Sequence, residues 1–294
     1  MNYKLFIKEL TEELRKEPSL PDDITFSIST GINGVKSRRM IIKKGGESIA
    51  PCIHLDYFYD EYIKGRSMED IARKIIEIYY SKPELPSADI NLSWDKLRDH
   101  ISFLLINYEA NRELLENMPH IRLSDLALIF RTDSNFLGIE GYIKISNDLM
   151  NHMEQSVETL FAAAVKNTHT LLPINCFTMK NMFADDCIDE DDIPDLLICT
   201  NKEKNYGAAV VFYDEFSETV REYGFKDYYI IPSSVHELLL INKKDTGSKE
   251  DIEALVREIN RSDAVSDSDY LSDNVYDYDD IRNEFESILT QYLH

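Results

Sequence analysis

Hydroxyl, imidazole and carboxylate side chains crowd together in Ser233-Ser234-Val235-His236-Glu237, between the apolar runs Tyr228-Tyr229-Ile230-Ile231 and Leu238-Leu239-Leu240-Ile241. A serine and a histidine within reach of each other are the parts of a hydrolase, in which the imidazole takes the hydroxyl proton and a third group orients the ring. On an extended strand side chains alternate, so Ser234 and His236 share one face while Ser233, Val235 and Glu237 share the other. Same-face neighbours lie about 7 Å apart along the backbone, so a Ser234–His236 hydrogen bond needs a bend or favourable rotamers. Glu237 stands on the wrong face to orient the ring. No G-x-S-x-G elbow surrounds either serine, so catalysis needs another group from a distant segment, such as His120 or Asp125. The structural alternative is stronger: Pro232 starts a turn, the serines satisfy local backbone groups, and His236 anchors a hydrogen-bond network beneath the sheet. Ser234 and His236 are the catalytic candidates, with Ser233 and Glu237 as binding candidates beside them.

His54, Asp56 and Asp60 form a second grouping, with the two aspartates one turn apart if a helix begins near Leu55. Metal binding there needs convergence with a fourth ligand, and the spacing matches no zinc or calcium pattern. His54 and Asp56 are kept as binding candidates within an aromatic packing face, and no metal or cofactor is expected. Carboxylates also concentrate in residues 185–192 and in residues 263–280, the latter with seven Asp and no Lys or Arg. Calcium could use such oxygens, but both segments lack the sharp-turn Gly and terminal bidentate Glu of a calcium loop. Both read as solvated loops. Tyr270, Leu271, Val275, Tyr276 and Tyr278 predict that the second one lies against the body of the protein. Gly31 and Gly34 make no phosphate loop, because no P-loop Lys-Ser/Thr follows them. Cys52, Cys176, Cys187 and Cys199 lack disulfide-framework or C-x-x-C spacing and are expected to be small buried residues.

Charge bounds the partners. The net charge of −22 is uneven: residues 1–150 hold 20 Lys+Arg against 24 Asp+Glu, a net of −4, which leaves 12 against 30, a net of −18, for residues 151–294. Such a surface repels a phosphate backbone, so neither nucleic acid nor an anionic membrane is expected as a partner. A basic protein or a cation is the natural counterpart. With 43% hydrophobic residues the chain can bury a large core. The charged N-terminal stretch lacks the apolar core of a secretory signal, and no window approaches the roughly 18 apolar residues of a membrane span. A cytoplasmic location is expected.

The elements that must position these residues follow from periodicity. Leu5, Phe6, Ile7, Leu10 and Leu14 predict a helix over residues 3–16, ended by Pro18 and Pro21. Ser67 caps a helix carrying Ile71, Ile75, Ile76 and Ile78, and further helices are expected over residues 156–167, 215–222, 248–259 and 281–292. Strands are expected at residues 24–28, 39–42, 126–130, 141–145, 195–199, 208–212, 228–231 and 236–241. Residues 101–106 fit a strand or a buried helix, and 107–117 look helical. The order lacks regular βαβ alternation, which favours an α+β fold with mixed or antiparallel sheets and flanking helices. Two closely packed subdomains fit, residues 1–184 and 195–294, joined by an acidic connector at 185–194. One domain over the whole chain fits as well.

Several separated motifs occur in an order that resembles a family. They are Ile49-Ala50-Pro51-Cys52-Ile53-His54-Leu55-Asp56-Tyr57-Phe58-Tyr59, Leu105-Ile106-Asn107-Tyr108-Glu109-Ala110-Asn111, Pro119-His120-Ile121, Asp125-Leu126-Ala127, Leu172-Pro173, Thr200-Asn201, Ile231-Pro232-Ser233-Ser234-Val235-His236-Glu237 and Leu271-Ser272-Asp273. The set resembles an uncharacterised family of intracellular proteins from gut clostridia, a domain of unknown function. The resemblance implies a Firmicutes source and one family-wide domain, and it brings no activity, cofactor or catalytic residue with it. Three functions stay open: a noncatalytic interaction or regulatory protein with an acidic C-terminal half, which is preferred; a hydrolase using Ser234 and His236; and a cation-binding protein using the acidic loops.

Overall fold

The computed structural model describes residues 2–43, 52–81, 91–135, 141–182, 193–262 and 265–293. Of these, residues 2–31, 35–43, 52–81, 91 and 135 form one compact unit, and the others form a second.

The first unit contains α1 (Tyr3–Leu14), β1 (Asp23–Thr30), β2 (Lys36–Lys43), β3 (Cys52–His54), α2 (Asp56–Ile63) and α3 (Met68–Tyr80). Asn2 caps α1 by accepting the Lys4 N–H at 3.0 Å, and Phe6, Leu10 and Leu14 recur every fourth residue on its buried face. Ser67 caps α3 in the same way through the Asp70 N–H, burying Ile71, Ala72 and Ile75. These two faces join Met40 and Ile42 of β2 and Leu55 and Phe58 in one apolar cluster. The three strands form an antiparallel sheet in sequence order.

The second unit runs α4 (Trp94–Leu97), β4 (Ile101–Asn107), α5 (Arg112–Leu115), β5 (His120–Leu123), β6 (Leu126–Asp133), β7 (Tyr142–Lys144), α6 (Asn147–His152), α7 (Val157–Leu171), β8 (Ile174–Thr178) and α8 (Met179–Met182). It continues with β9 (Leu196–Asn201), α9 (Phe216–Glu222), β10 (Tyr228–Ser234), β11 (Glu237–Asn242), α10 (Lys249–Asn260), β12 (Tyr276–Asp277) and α11 (Tyr278–Leu293). Strand β6 pairs with β4, β5 and β7 in one sheet, and the order β12-β10-β11-β9-β8 makes another. Every strand pairing among the described residues is antiparallel, so the fold is α+β. The ambiguous run at 101–106 is strand β4, buried at every position. Helix α7 covers it, and the Thr168 hydroxyl there accepts the Phe103 N–H at 3.2 Å.

Three expectations change. Residues 208–212 are not a strand: Gly207–Phe212 is a 3₁₀ segment, buried throughout, and a short apolar run has no polar face to reveal its period. Of residues 107–117, Asn107 ends β4 and the rest hold only a 3₁₀ turn and the four-residue α5. Strand β10 extends past Pro232 to Ser234, so β11 begins at Glu237, one residue beyond the expected start. The acidic stretch 185–192 and Cys187 lie outside the described residues, and β8 and β9, which precede and follow that stretch, are neighbours in one sheet. There Cys176 and Cys199 face each other as free, buried thiols with sulfurs 3.1 Å apart. Burial pushes the Cys199 thiol well above its ordinary range. Cys52, by contrast, is exposed.

Candidate functional site

Strands β10 and β11 form a hairpin in which Ser234 pairs with Glu237, leaving Val235 and His236 as its two-residue tip. Pro232 is tolerated because the register is irregular between Ile231 and Ser234, where a missing N–H breaks no regular ladder. The Ser234 hydroxyl accepts the His236 backbone N–H at 3.1 Å. The imidazole turns elsewhere: its Nδ1 accepts the Tyr206 backbone N–H at 3.1 Å. The ring proton therefore resides on Nε2, which lies 3.4 Å from the Asp269 carboxylate.

The backbone of the tip is bound as tightly as the ring. The His236 carbonyl accepts from the Thr200 hydroxyl at 2.7 Å and from the Gly207 N–H at 3.0 Å, and Val235 donates its N–H to the Asp269 carbonyl at 2.8 Å. Gly207 is required by this approach, since a Cβ there would lie 2.2 Å from Thr200 Oγ1, 2.5 Å from Asn201 N and 2.7 Å from His236 O. Tyr206 reaches its place only in the left-handed region, at φ 53° and ψ 40°. Its ring packs 5.2 Å from His236 and 6.0 Å from Tyr142.

Beyond Tyr206 lies Arg131 of β6, only 4% exposed. Its guanidinium sits over the Tyr142 ring at 4.7 Å, donates to the Ser102 hydroxyl at 3.3 Å, and meets the solvent-facing Glu203 carboxylate at 3.7 Å. Burial lowers the Arg131 pKa against the support of Glu203, and burial pushes the Tyr206 phenol up. An arginine stays charged even so.

The second acidic segment is stitched to the same unit. Asn33, itself at φ 58°, donates its side-chain amide toward the carbonyls of Asp267, Ser268 and Tyr270 at 3.0, 3.2 and 2.7 Å. Asn111 accepts the Asn33 N–H at 2.6 Å, and Asn107 donates to the Leu271 carbonyl at 2.9 Å. Asp125 accepts from Ser272 at 2.6 Å and from Tyr276 at 2.7 Å. Over its described residues, from 265 onward, this segment is held against the protein at each of these points.

A protein-family model described as a family of unknown function, DUF5688, matches residues 3–280. The chain belongs to that family. No curated protein and no solved structure matches it.

In this DUF5688 chain the motif residues are joined mainly to one another and to backbone. Among the described residues, no hydrogen bond links Ser234 Oγ to either His236 ring nitrogen. Of the distant groups a hydrolase would recruit, His120 bonds to the Met118 carbonyl at 2.9 Å, and Asp125 is engaged by Ser272 and Tyr276. Ser233 and Glu237 flank the tip, both half-buried. In the first unit His54 bonds to Ser37 at 2.8 Å, while Asp56 takes the Arg38 guanidinium at 2.7 Å and its N–H at 3.0 Å. His54 and Asp56 are thus engaged by different partners. No group of three potential metal ligands occurs among the described residues, and no helix there is long and apolar enough to cross a membrane. Sequence reasoning missed Tyr206, Arg131, Asn33 and Asp269. Only Asn33, between two glycines, carried a local signal, because asparagine beside glycine favours left-handed turns.

Proposed function

We propose that this protein is a noncatalytic interaction protein whose acidic second half engages a basic partner segment. The observation that carries this is the commitment of the Ser-Val-His tip: imidazole Nδ1, the His236 carbonyl and the Ser234 oxygen each serve a backbone or structural hydrogen bond. Among the described residues, Ser234 and His236 therefore form no hydrogen-bonded proton-transfer pair of the kind acyl transfer uses. The interaction reading is supported by exposed apolar residues on α10. Its Ile252 and Val256 are buried with Val275 against Tyr229, Ile231 and Ile241, while Leu255 and Ile259, one turn apart, are 55% and 43% exposed. Asp251 stands one turn before Leu255, and Glu250 and Glu258 are exposed without ion pairs among the described residues. An apolar stripe bordered by carboxylates matches an amphipathic segment carrying lysine or arginine.

The test is fluorescence anisotropy of a labelled basic amphipathic peptide titrated with the full chain at low and high salt. Saturable binding should weaken about tenfold or more between roughly 50 and 500 mM salt. The Leu255→Ser, Ile259→Ser double variant should bind several-fold more weakly. Absence of saturable binding at about 100 µM protein in low salt, or binding indifferent to both changes, removes the proposal.

A further inference from the structure

A second feature of the larger unit is a pocket of about 180 Å³ beside the start of α11. Much of its charge is internally neutralised. Lys243 Nζ lies 2.9 Å from Asp227 and 2.6 Å from Asp277, and Lys249, outside the lining, also reaches Asp277 at 3.2 Å. Arg221, Lys226 and Asp279 remain. All three line the pocket, all are exposed, and none makes a side-chain ion pair or hydrogen bond among the described residues.

Two aromatic residues line the same space, Tyr228 and Tyr278, whose rings are 6.1 Å apart. Burial pushes both phenols above their ordinary range, and Arg221 and Asp279 act on each of them in opposite senses. Both charges line the same pocket as these two tyrosines. They nevertheless stay farther apart than a salt bridge allows.

We propose that this pocket binds a small zwitterion of the α-amino acid class, with Arg221 receiving its carboxylate and Asp279 its ammonium group. A simple anion would satisfy Arg221 and Lys226 but face the unpaired Asp279, and a simple cation would pair with Asp279 but face both Arg221 and Lys226. A ligand carrying both charges pairs with each, and charge-assisted hydrogen bonds to guanidinium and carboxylate are the strong ones. The volume is well below the roughly 300–1,000 Å³ of pockets that hold drug-sized molecules, which selects against nucleotides and larger cofactors.

The test is a thermal-shift screen of the full chain with each common amino acid, followed by calorimetry on any that stabilise it. Inorganic phosphate and a simple diamine serve as the competing ligands. At least one amino acid should bind saturably below about 10 mM, with its deaminated and decarboxylated analogues about tenfold weaker or worse. Arg221→Gln and Asp279→Asn, both at exposed positions, should each weaken binding about tenfold while leaving the circular dichroism spectrum unchanged. Failure of every amino acid, binding of phosphate or diamine in their place, or indifference to either substitution overturns the proposal. Peptide binding at α10 is read separately, so the two proposals fail independently.

Discussion

His236→Ala removes the acceptor of the Tyr206 N–H and the neighbour of Asp269 in one change. A part-buried backbone donor left without a partner costs about 1–3 kcal/mol, so the melting temperature is expected to fall by several degrees. His236→Asn should recover part of that loss, because an amide oxygen can stand near the place of Nδ1 and accept the same N–H. A purely catalytic histidine predicts the opposite pattern, with unchanged or increased stability in both variants. Gly207→Ala bears on the same junction from the other side. Its Cβ would collide with the Asn201 nitrogen and the His236 carbonyl, which are backbone atoms and cannot rotate away. A loss of about 1–3 kcal/mol is expected, readable in chemical denaturation as a lower midpoint with an unchanged slope. The motif was legible as a cluster of functional side chains, but its turn was expected to start at Pro232, whereas the strand runs on to Ser234 and the chain reverses at Val235-His236. Its partners were not legible, because Tyr206 lies 30 positions away from His236 and is brought close only by a left-handed backbone that Tyr rarely adopts.

At the scale of elements, periodicity revealed those with two distinct faces. Helix α1 announced itself through an apolar repeat, α10 through its Ser248 cap and α3 through both, and each is found with its cap bonded. Elements with one kind of surface were less readable. Strand β4 is buried at every position and apolar at all but Ser102 and Asn107, and the segment after Gly207 is buried on all sides, so neither displays a period. The acidic segment beyond residue 263 was legible through its interleaved tyrosines, whereas the groups that receive it, Asn33, Asn107 and Asp125, come from distant parts of the sequence. Asp125 is the clearest lever on this element, accepting from both Ser272 and Tyr276. Asp125→Ala should leave the part-buried Ser272 hydroxyl without its acceptor and Tyr276 with only Ser272 to donate to, and cost about 1–3 kcal/mol. Hydrogen exchange would locate the effect: protection should fall first in residues 265–277, before the sheet of β4 and β6 responds. A uniform loss of protection across the unit would show that this segment folds together with the sheet and does not dock on it.

For the whole molecule, two electrostatic effects act in opposite directions. The net charge is −22, so the folded chain holds many carboxylates in mutual repulsion, a cost that salt screens. Its attractive pairs include Lys243 with Asp227 and Asp277. Their hydrogen bonds raise the Lys243 pKa. For Asp277 burial acts upward, but bonds from Lys243 and Lys249 outweigh it and hold the carboxyl below its ordinary value. A depressed carboxyl pKa contributes stability above the unfolded value near 4 and loses it as pH falls through the folded pKa. The raised lysine pKa contributes below about 10 and loses it as pH rises through the folded pKa. Between those limits the cluster is insensitive to pH, so a change in stability between pH 8 and pH 6 must come from elsewhere. Salt tests repulsion against attraction directly. Raising ionic strength at pH 7 from about 0.01 to 0.1 M shortens the screening length from roughly 30 to 10 Å. This weakens long-range repulsion among dispersed carboxylates more than it weakens ion pairs at contact distance. The melting temperature is therefore expected to rise with salt, and to rise less at pH 5, near the sequence isoelectric point of about 4.7, where little net charge is left to screen. A fall with salt at pH 7 would instead mean that attractive pairs dominate the field of the fold.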